Sequence, residues 1–428
     1  MSAQIHIISI DWQVTYVCSI SLFNIDPSGK QGIETKTICI YRTTYTCNLQ
    51  LAVNTIYYLP EQAMAEAKVA YNYLGRTGVQ VSNLCLGTMT FGEGLIPVAT
   101  QLNEEMSHKV MDRYAELGGN FLDTANVYGL GASERVVGSW LKKQDRSSFV
   151  LATKVRGQMD KNNVNKVGLS RRHIVESCEE SLGRLQTSYI DLLQAHVWDN
   201  GTPIEETLRT FDDLVRCGKI RYFGVSNFCG WQLQKVVDKI EMMGLNSCVS
   251  LQQQYNLLAR QSEFEEFMVC ANEGIGVLPW SPLKGGVLTG KFERNKTPDA
   301  KGSRIGFIAQ DESKAMQAAP AWSKLNDDEG YWNLMDIMKD IAKNHGKTVP
   351  QVSLRWLLQK DVVCSVIIGA TSLKQLEDNM GASTGWALSE EEMSRLDEAS
   401  PRVNLYPYEM IWRMNSVRTN PFNRSNKL

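Results

Sequence analysis

Residues 202–225, TPIEETLRTFDDLVRCGKIRYFGV, join an amphipathic helix to an apolar run. Thr202 and Glu205 predict a capping box at the start of this helix, and Gly218 is typical of a helix end. One apolar face is formed by residues at helical spacing: Leu208, Phe211, Leu214 and Val215. The run at 221–225 is short and apolar, which predicts a strand directly after the helix.

The same alternation recurs along the chain. Including 221–225, eight apolar runs are separated by helical patterns: 84–86, 121–122, 149–155, 190–195, 221–225, 249–252, 275–280 and 365–369. Another such helix is predicted after Ser170, with Ile174, Cys178, Leu182 and Leu185 on one stripe. Apolar strands covered by helices indicate a parallel sheet buried on both faces. Eight units favour an α/β fold of the (β/α)8 TIM barrel type, and no GxGxxG turn of an open dinucleotide-binding sheet follows the first strand.

Three segments depart from this alternation. A short N-terminal hairpin is predicted at 74–81, and a long polar loop at 289–330 follows the seventh strand, where a functional lid and a disordered loop are equally consistent. Residues 1–70 contain short β-prone runs without a helical pattern. They are predicted to be an extension of unknown role, disordered or accessory, with a separate functional module as the alternative. Residues 71–428 are predicted to form the barrel domain.

Composition narrows the classes of partner. The 428 residues carry 45 Lys and Arg against 47 Asp and Glu, so the formal net charge of −2 offers no basic stripe for nucleic acid. Ten cysteines form no CxxC pair, which argues against a zinc site and for reduced thiols, so we expect no metal and a cytoplasmic protein. Asp11 and Gln13 interrupt the apolar run at 5–23, which predicts neither a signal peptide nor membrane insertion.

Four chemically active residues follow three consecutive predicted strands: Asp123, Tyr128, Lys154 and His196. The carboxyl ends of barrel strands meet at one face, so these side chains are expected to lie together. A phenol donates a proton poorly at neutral pH, but a neighbouring cation such as Lys154 stabilises the phenolate and lowers the pKa. Asp123 would keep Lys154 charged, and neutral His196 would hydrogen-bond a substrate oxygen. Taken singly, each of the four has an ordinary structural explanation.

An ordered series of motifs identifies a resemblance. They are LCLGTMTFG (84–92), NFLDTANVYGLGASERVVG (120–138), LATKV (151–155), SLGRLQTSYIDLLQAHVWD (181–199), GKIRYFGVSNF (218–228), LQQQYNLL (251–258), LPWSPLKGGVLTGK (278–291) and VIIGATSLKQLEDN (366–379). In this order they resemble the aldo-keto reductase family from about residue 73 to 412. The resemblance implies an oxidoreductase on a (β/α)8 barrel that binds NADP(H) in extended form and reduces an aldehyde or ketone.

By matching position, the resemblance also implies roles for individual residues. Tyr128 would be the general acid, Lys154 and Asp123 would tune it, and His196 would orient the carbonyl. The nicotinamide end would be held by Ser226, Asn227, Gln252 and Trp280. The pyrophosphate would be approached by Ser281, Leu283, Gly285, Lys291 and Arg304. The adenosine end would be held by Gly369, Ser372, Gln375, Asp378 and Asn379.

The chain departs from the family pattern at the adenosine 2′-phosphate. Many members place Lys or Arg where this sequence has Gly369, Thr371 and Gln375, and only Lys374 is basic. NAD(H) therefore stays open beside NADP(H). A regulatory subunit resembling the auxiliary subunit of potassium channels, and an isomerase or aldolase on the same barrel, are the alternative functions. The small-molecule carbonyl substrate and the oligomeric state are left open.

Overall fold

The computed structural model describes residues 16–25, 31–40, 69–92, 101–300, 303–316 and 319–418. The chain divides into two units, residues 1–61 and 62–428. In the first unit, β1 (Tyr16–Ile25) pairs antiparallel with β2 (Gln31–Ile40). Apart from these strands and residues 69–70, the predicted extension lies outside the described residues, and its role remains a prediction.

The second unit contains the predicted hairpin and barrel. Strand β3 (Tyr71–Tyr73) pairs antiparallel with β4 (Gln80–Ser82), so the hairpin is confirmed and starts slightly earlier than predicted. The parallel barrel strands are β5 (Leu84–Gly87), β6 (Phe121–Asp123), β7 (Val150–Val155), β8 (Ile190–Ala195), β9 (Ile220–Ser226), β10 (Cys248–Gln254), β11 (Gly276–Trp280) and β12 (Val366–Ile368).

The eight strands lie in the order β11-β10-β9-β8-β7-β6-β5-β12. At the two edges of this sheet, the backbone N–H of Val277 in β11 donates to the carbonyl of Val362, and Cys364 donates to the carbonyl of Val277. Both partners of Val277 come directly before β12, so the edges meet. These contacts confirm the predicted (β/α)8 barrel.

Helices alternate with the barrel strands, and further helices follow β12 towards the C-terminus. They are α1 (Glu104–Glu116), α2 (Ala132–Leu141), α3 (Arg171–Leu185), α4 (Ile204–Arg216), α5 (Gly230–Met243), α6 (Glu266–Glu273), α7 (Arg304–Ala309), α8 (Trp322–Asn326), α9 (Glu329–His345), α10 (Val349–Leu358), α11 (Leu373–Met380), α12 (Glu390–Ala399) and α13 (Tyr408–Asn415). None of the described helices combines the length and apolar character needed to cross a lipid bilayer.

Helix starts show where the sequence patterns succeed and where they fail. Ser170 caps α3 as predicted, since its side chain accepts a hydrogen bond from the backbone N–H of His173. In contrast, the capping box predicted for α4 is wrong, because Pro203 occupies the N-cap position and has no side-chain oxygen. The Thr202 hydroxyl instead donates to Asp199 at 2.7 Å, which ties down the loop after β8.

The long segment after β11 is partly helical where it is described. A 3₁₀ turn at Lys284–Thr289 leads towards α7, a second turn at Glu312–Lys314 follows, and α8 comes before the long α9. Ile305 and Ile308 of α7 are buried, so this segment packs against the rest of the unit. Whether it acts as a lid remains a prediction.

The packing of α2 against α3 generates a stability prediction from two helical glycines. A Cβ at Gly138 would lie 2.2 Å from the carbonyl oxygen of Arg184, whereas a Cβ at Gly183 would meet nothing within 4 Å. We expect Gly138→Ala to destabilise the protein by about 1–3 kcal/mol, because backbone must move. The control Gly183→Ala should stabilise it by about 0.5–1 kcal/mol through helix propensity. Thermal unfolding of both variants measures this, and equal midpoints would contradict the packing.

Candidate active site

A cleft of about 760 Å³ lies at the carboxyl ends of the barrel strands. All the predicted site residues line it except Lys154, which is buried beneath it, and Ser372. The cleft also includes residues that the sequence analysis did not select: Gly87, Met89, Thr90, Pro282, Gly286, Thr289, Ser303, Met316, Pro350, Ile367, Ile368, Ala370 and Thr371. The barrel therefore gathers at one face residues that are far apart in sequence.

Lys154 lies beneath the cleft, at the centre of a buried group of hydrogen-bonded residues. Its Nζ donates to Asp123 Oδ1 at 2.5 Å, to the carbonyl of Thr124 at 2.9 Å and to Tyr128 OH at 3.3 Å. The Lys154 side chain is fully buried, and Asp123 is only 2% exposed. An ammonium has three donors, so each one has an oxygen partner.

A turn explains the spacing between Asp123 and Tyr128. Asp123 ends β6, and Tyr128 begins a 3₁₀ turn, Tyr128–Gly131, that leads into α2. Between them, the backbone N–H of Asn126 donates to the carbonyl of Lys154 at 3.2 Å. The loop is thus fastened to β7, and the phenol is brought back over the lysine.

Charge and burial act in opposite directions in this group. Burial opposes the charge of Lys154, but Asp123 and Tyr128 outweigh it, so the pKa of Lys154 is raised. Burial also raises the pKa of Tyr128; the Lys154 charge lowers it, as expected from the sequence, but does not reverse the effect of burial. The phenol therefore keeps its proton at neutral pH.

His196 faces the same phenol and carries no charge at neutral pH. The imidazole and the Tyr128 ring have centroids 5.9 Å apart and meet edge to face. Burial, together with the charges of Lys154 and Arg156, lowers the pKa of His196 to about 3. The neutral imidazole expected from the sequence is therefore the form present above pH 4.

The second oxygen of Asp123 has partners that the sequence analysis did not anticipate. Gln252 Nε2 donates to Asp123 Oδ2 at 2.8 Å, and Gln194 Nε2 donates to the same oxygen at 3.2 Å. Gln194 is fully buried and was not predicted as a site residue. A polar residue within the apolar run IDLLQA was the available signal.

Asn227 connects several of the predicted nicotinamide-end residues. Its Nδ2 donates to the carbonyl of His196 and to Ser226 Oγ, both at 2.9 Å. Its Oδ1 accepts a hydrogen bond from Trp280 Nε1 at 3.1 Å. Asn227 also has a φ of +56°, which asparagine tolerates better than most residues. The orientation of the Trp280 ring is thus fixed by a hydrogen bond.

The middle of the cleft carries positive charge beside a turn that contains two glycines with positive φ. Gly285 and Gly286 have φ values of +66° and +98°, and a Cβ on Gly286 would lie 3.8 Å from Lys291 Nζ. Among the described residues, neither Lys291 nor Arg304 has a carboxylate partner, and burial lowers the pKa of both. Lys291 is exposed and Arg304 is partly buried, and two such cations without a carboxylate partner fit an anionic group such as a pyrophosphate.

The remaining end of the cleft presents amide and hydroxyl groups together with the carboxyl group of Asp378. Gln375 Oε1 accepts hydrogen bonds from Thr371 N at 2.8 Å and Thr371 Oγ1 at 2.9 Å, which leaves its amide N–H groups as donors. Asn379 Nδ2 donates to the carbonyl of Gly369 at 3.2 Å. Ser372 does not line the cleft, because its hydroxyl caps α11 by accepting from Gln375 N. Lys374 is exposed and does not line the cleft either.

The pKa of His196 generates a prediction for stability against pH. Its pKa is about 3 in the folded chain, against about 6.5 when unfolded, so between these values the unfolded state binds more protons. Stability should therefore decrease as pH falls, by about 2 kcal/mol from this group at pH 5. Urea unfolding at pH 7 and pH 5 should show a smaller decrease for His196→Gln. An equal decrease in both proteins would contradict a buried neutral imidazole.

Comparison with known proteins identifies the family of this chain. The model of the Aldo/keto reductase family matches residues 83–401. The chain is 36% identical over 321 residues to an uncharacterized oxidoreductase, YrpG, of Bacillus subtilis, covering 73% of this chain and 90% of that protein. It is 32% identical to norsolorinic acid reductase B of Dothistroma septosporum, covering 81% and 86%. It is 31% identical to a putative aryl-alcohol dehydrogenase of Schizosaccharomyces pombe, covering 77% and 95%. The chain therefore belongs to the aldo/keto reductase family and is an NAD(P)H-dependent reductase of small-molecule carbonyl compounds.

Proposed function

We propose that this protein uses NADPH to reduce an aldehyde or ketone to an alcohol, with Tyr128 as the proton donor. The observation that carries the proposal is the buried group in which Lys154 Nζ donates to both Asp123 Oδ1 and Tyr128 OH at the base of the cleft. Among the described residues, no group of His, Cys, Asp and Glu side chains that could hold a metal ion accompanies it. This chemistry suits proton delivery to a carbonyl oxygen.

Each residue of this group has a separate task. Tyr128 holds the proton that the product oxygen needs, since its raised pKa keeps the phenol protonated. Lys154 stabilises the phenolate once that proton has left, and Asp123 keeps Lys154 charged and in place. Neutral His196 orients the carbonyl oxygen by a hydrogen bond. When bound, the reduced nicotinamide supplies the hydride.

The cleft residues fit a dinucleotide. Unpaired Lys291 and Arg304 would hold its pyrophosphate, and Ser226, Gln252 and Trp280 would hold the nicotinamide end. Gln375, Asp378 and Asn379 would hold the adenosine end. We favour NADP(H) from the resemblance to the family, and the preference over NAD(H) is modest because this end of the cleft offers amide donors in place of a guanidinium.

The names of two relatives guide the choice of substrates. One is named a norsolorinic acid reductase and another a putative aryl-alcohol dehydrogenase. We therefore place norsolorinic acid and aryl aldehydes first in a panel that also contains ketones, sugars and quinones. Turnover without nicotinamide would indicate an isomerase or aldolase, and a bound nucleotide without turnover would favour a regulatory subunit.

Removal of the Tyr128 hydroxyl tests the mechanism. Tyr128→Phe should lower kcat by about 10²- to 10⁴-fold, the usual contribution of a general acid, with little change in nucleotide binding. The matched control is Tyr189→Phe, which removes a hydroxyl outside the cleft and should leave kcat unchanged. NADPH oxidation at 340 nm measures both. Full activity of Tyr128→Phe would exclude Tyr128 as the proton donor.

The nucleotide preference has its own test at Gln375. Gln375→Arg should strengthen NADPH binding relative to NADH by about tenfold, because a guanidinium pairs with a 2′-phosphate and not with a ribose hydroxyl. Lys374→Ala, a change at the exposed neighbour on α11, should leave the ratio unchanged. Fluorescence titration with both nucleotides gives the two Kd values. An unchanged ratio in Gln375→Arg would place the 2′-phosphate elsewhere.

A further inference from the structure

We propose that Gln194 is a positioning residue that fixes both the Asp123 carboxylate and the Gln252 side chain, so that the proton-donating group and the nicotinamide end of the cleft are held by one set of hydrogen bonds. The inference rests on the proposed function. Gln194 itself does not line the cleft, so it acts through its two neighbours.

Three side chains form a closed triangle of hydrogen bonds. Gln194 Nε2 donates to Asp123 Oδ2 at 3.2 Å, Gln252 Nε2 donates to the same oxygen at 2.8 Å, and Gln252 Nε2 also donates to Gln194 Oε1 at 3.3 Å. All three residues are buried, with exposures of 0–3%. Because so little of these side chains is exposed to water, each bond is strong and each lost partner is costly.

The Asp123 carboxylate sets the orientation of the side-chain amides of Gln194 and Gln252. Asp123 Oδ1 is engaged by Lys154, so the charge on Oδ2 is satisfied by the two glutamine N–H groups. An amide turned the other way would place its oxygen against a carboxylate oxygen, which is repulsive. Gln194 Oε1 accepts the second proton of Gln252 Nε2 and thereby reinforces this orientation.

The orientation of Gln252 has a consequence in the cleft. Because Gln252 Nε2 donates to Asp123 and Gln194, the amide oxygen Oε1 is the atom left to accept a hydrogen bond. Gln252 also lines the cleft. Among the described residues, no group donates to that oxygen. Gln252 therefore offers a fixed acceptor, which suits the N–H of a carboxamide ligand.

The barrel register places Gln194 for this task. Gln194 on β8 is the register partner of Lys154 on β7, so the two side chains belong to the same layer. On the other side of β8, the register partner of Gln194 is Gly224 of β9, which has no side chain. Gln252 therefore reaches Gln194 from β10, across β9. The triangle thus joins three alternate strands, β6, β8 and β10, and Lys154 of β7 contacts it through Asp123.

Gln194→Met tests the proposal, because methionine keeps the length of the side chain and removes its amide. We expect kcat to fall about tenfold, the carbonyl KM to change less than twofold, and the Kd for NADPH to rise severalfold in the absence of carbonyl substrate. Gln194→Glu should lower kcat and NADPH affinity more than Gln194→Met does, because it brings a second carboxylate within hydrogen-bond distance of Asp123. The nucleotide Kd is measured by protein fluorescence and does not depend on turnover.

The control is Gln232→Met at the start of α5. Gln232 is also buried and does not line the cleft, and its side chain accepts one hydrogen bond from Cys229 N. This variant should lower Tm while kcat and the NADPH Kd stay at wild-type values. If Gln194→Met behaves like Gln232→Met, Gln194 is structural and the proposal is wrong. If Tyr128→Phe retains full activity, the proposed function fails instead, so the two failures are distinguishable.

Discussion

The fully buried ammonium of Lys154 is the constraint on which the site depends. An unpaired charge at this depth is strongly unfavourable, and here three oxygens, from Asp123, Thr124 and Tyr128, satisfy it. Their positions follow from the barrel, because β6 and β7 are adjacent and in register. The loop between Asp123 and Tyr128 is fastened to β7 by Asn126. Packing, topology and chemistry therefore depend on the same few hydrogen bonds.

Local charge in the cleft differs from the charge of the whole chain. The sequence is nearly neutral, yet the cleft is lined by the neutral imidazole of His196 and by the cations Lys291 and Arg304, which have no carboxylate partner among the described residues. Burial lowers the pKa of both cations, and neither has a carboxylate partner among the described residues that would offset this effect. An anionic ligand would relieve that loss of hydration, so the protein is arranged for a partner that net charge alone does not reveal.

The sequence predicts most of the fold because its signals are repeated. All eight strands were found from apolar runs between amphipathic helices, and Ser170 caps α3 as its motif predicts. The predicted start of α4 was wrong because Thr202 is also within reach of Asp199, a contact that local pattern does not reveal. Ser372 does not line the cleft, contrary to its predicted place there, for a related reason. A serine before a helix serves equally as a cap or as a ligand group, and here it caps α11.

Site residues without a repeated signal were missed. Met316 and Pro350 line the cleft from separate segments of the chain, and nothing in their neighbourhood sets them apart. Likewise, the single glutamine in IDLLQA gives no indication of its partners until β8 lies beside β7. Such residues become visible only through tertiary contacts, whereas Asp123, Tyr128 and Lys154 combine reactive groups with recognisable motifs.

Asp123 joins the two halves of the cleft through its two oxygens. Oδ1 faces Lys154 and, through it, the phenol, while Oδ2 faces Gln252 and hence the proposed nicotinamide end. A single carboxylate thus sets the charge of the lysine and the orientation of a neutral amide. If the proposed function holds, the geometry of proton donation and that of ligand binding depend on the same buried group. The dense hydrogen bonding of Asp123 therefore has a physical reason, because a change at either oxygen would disturb both the lysine and Gln252.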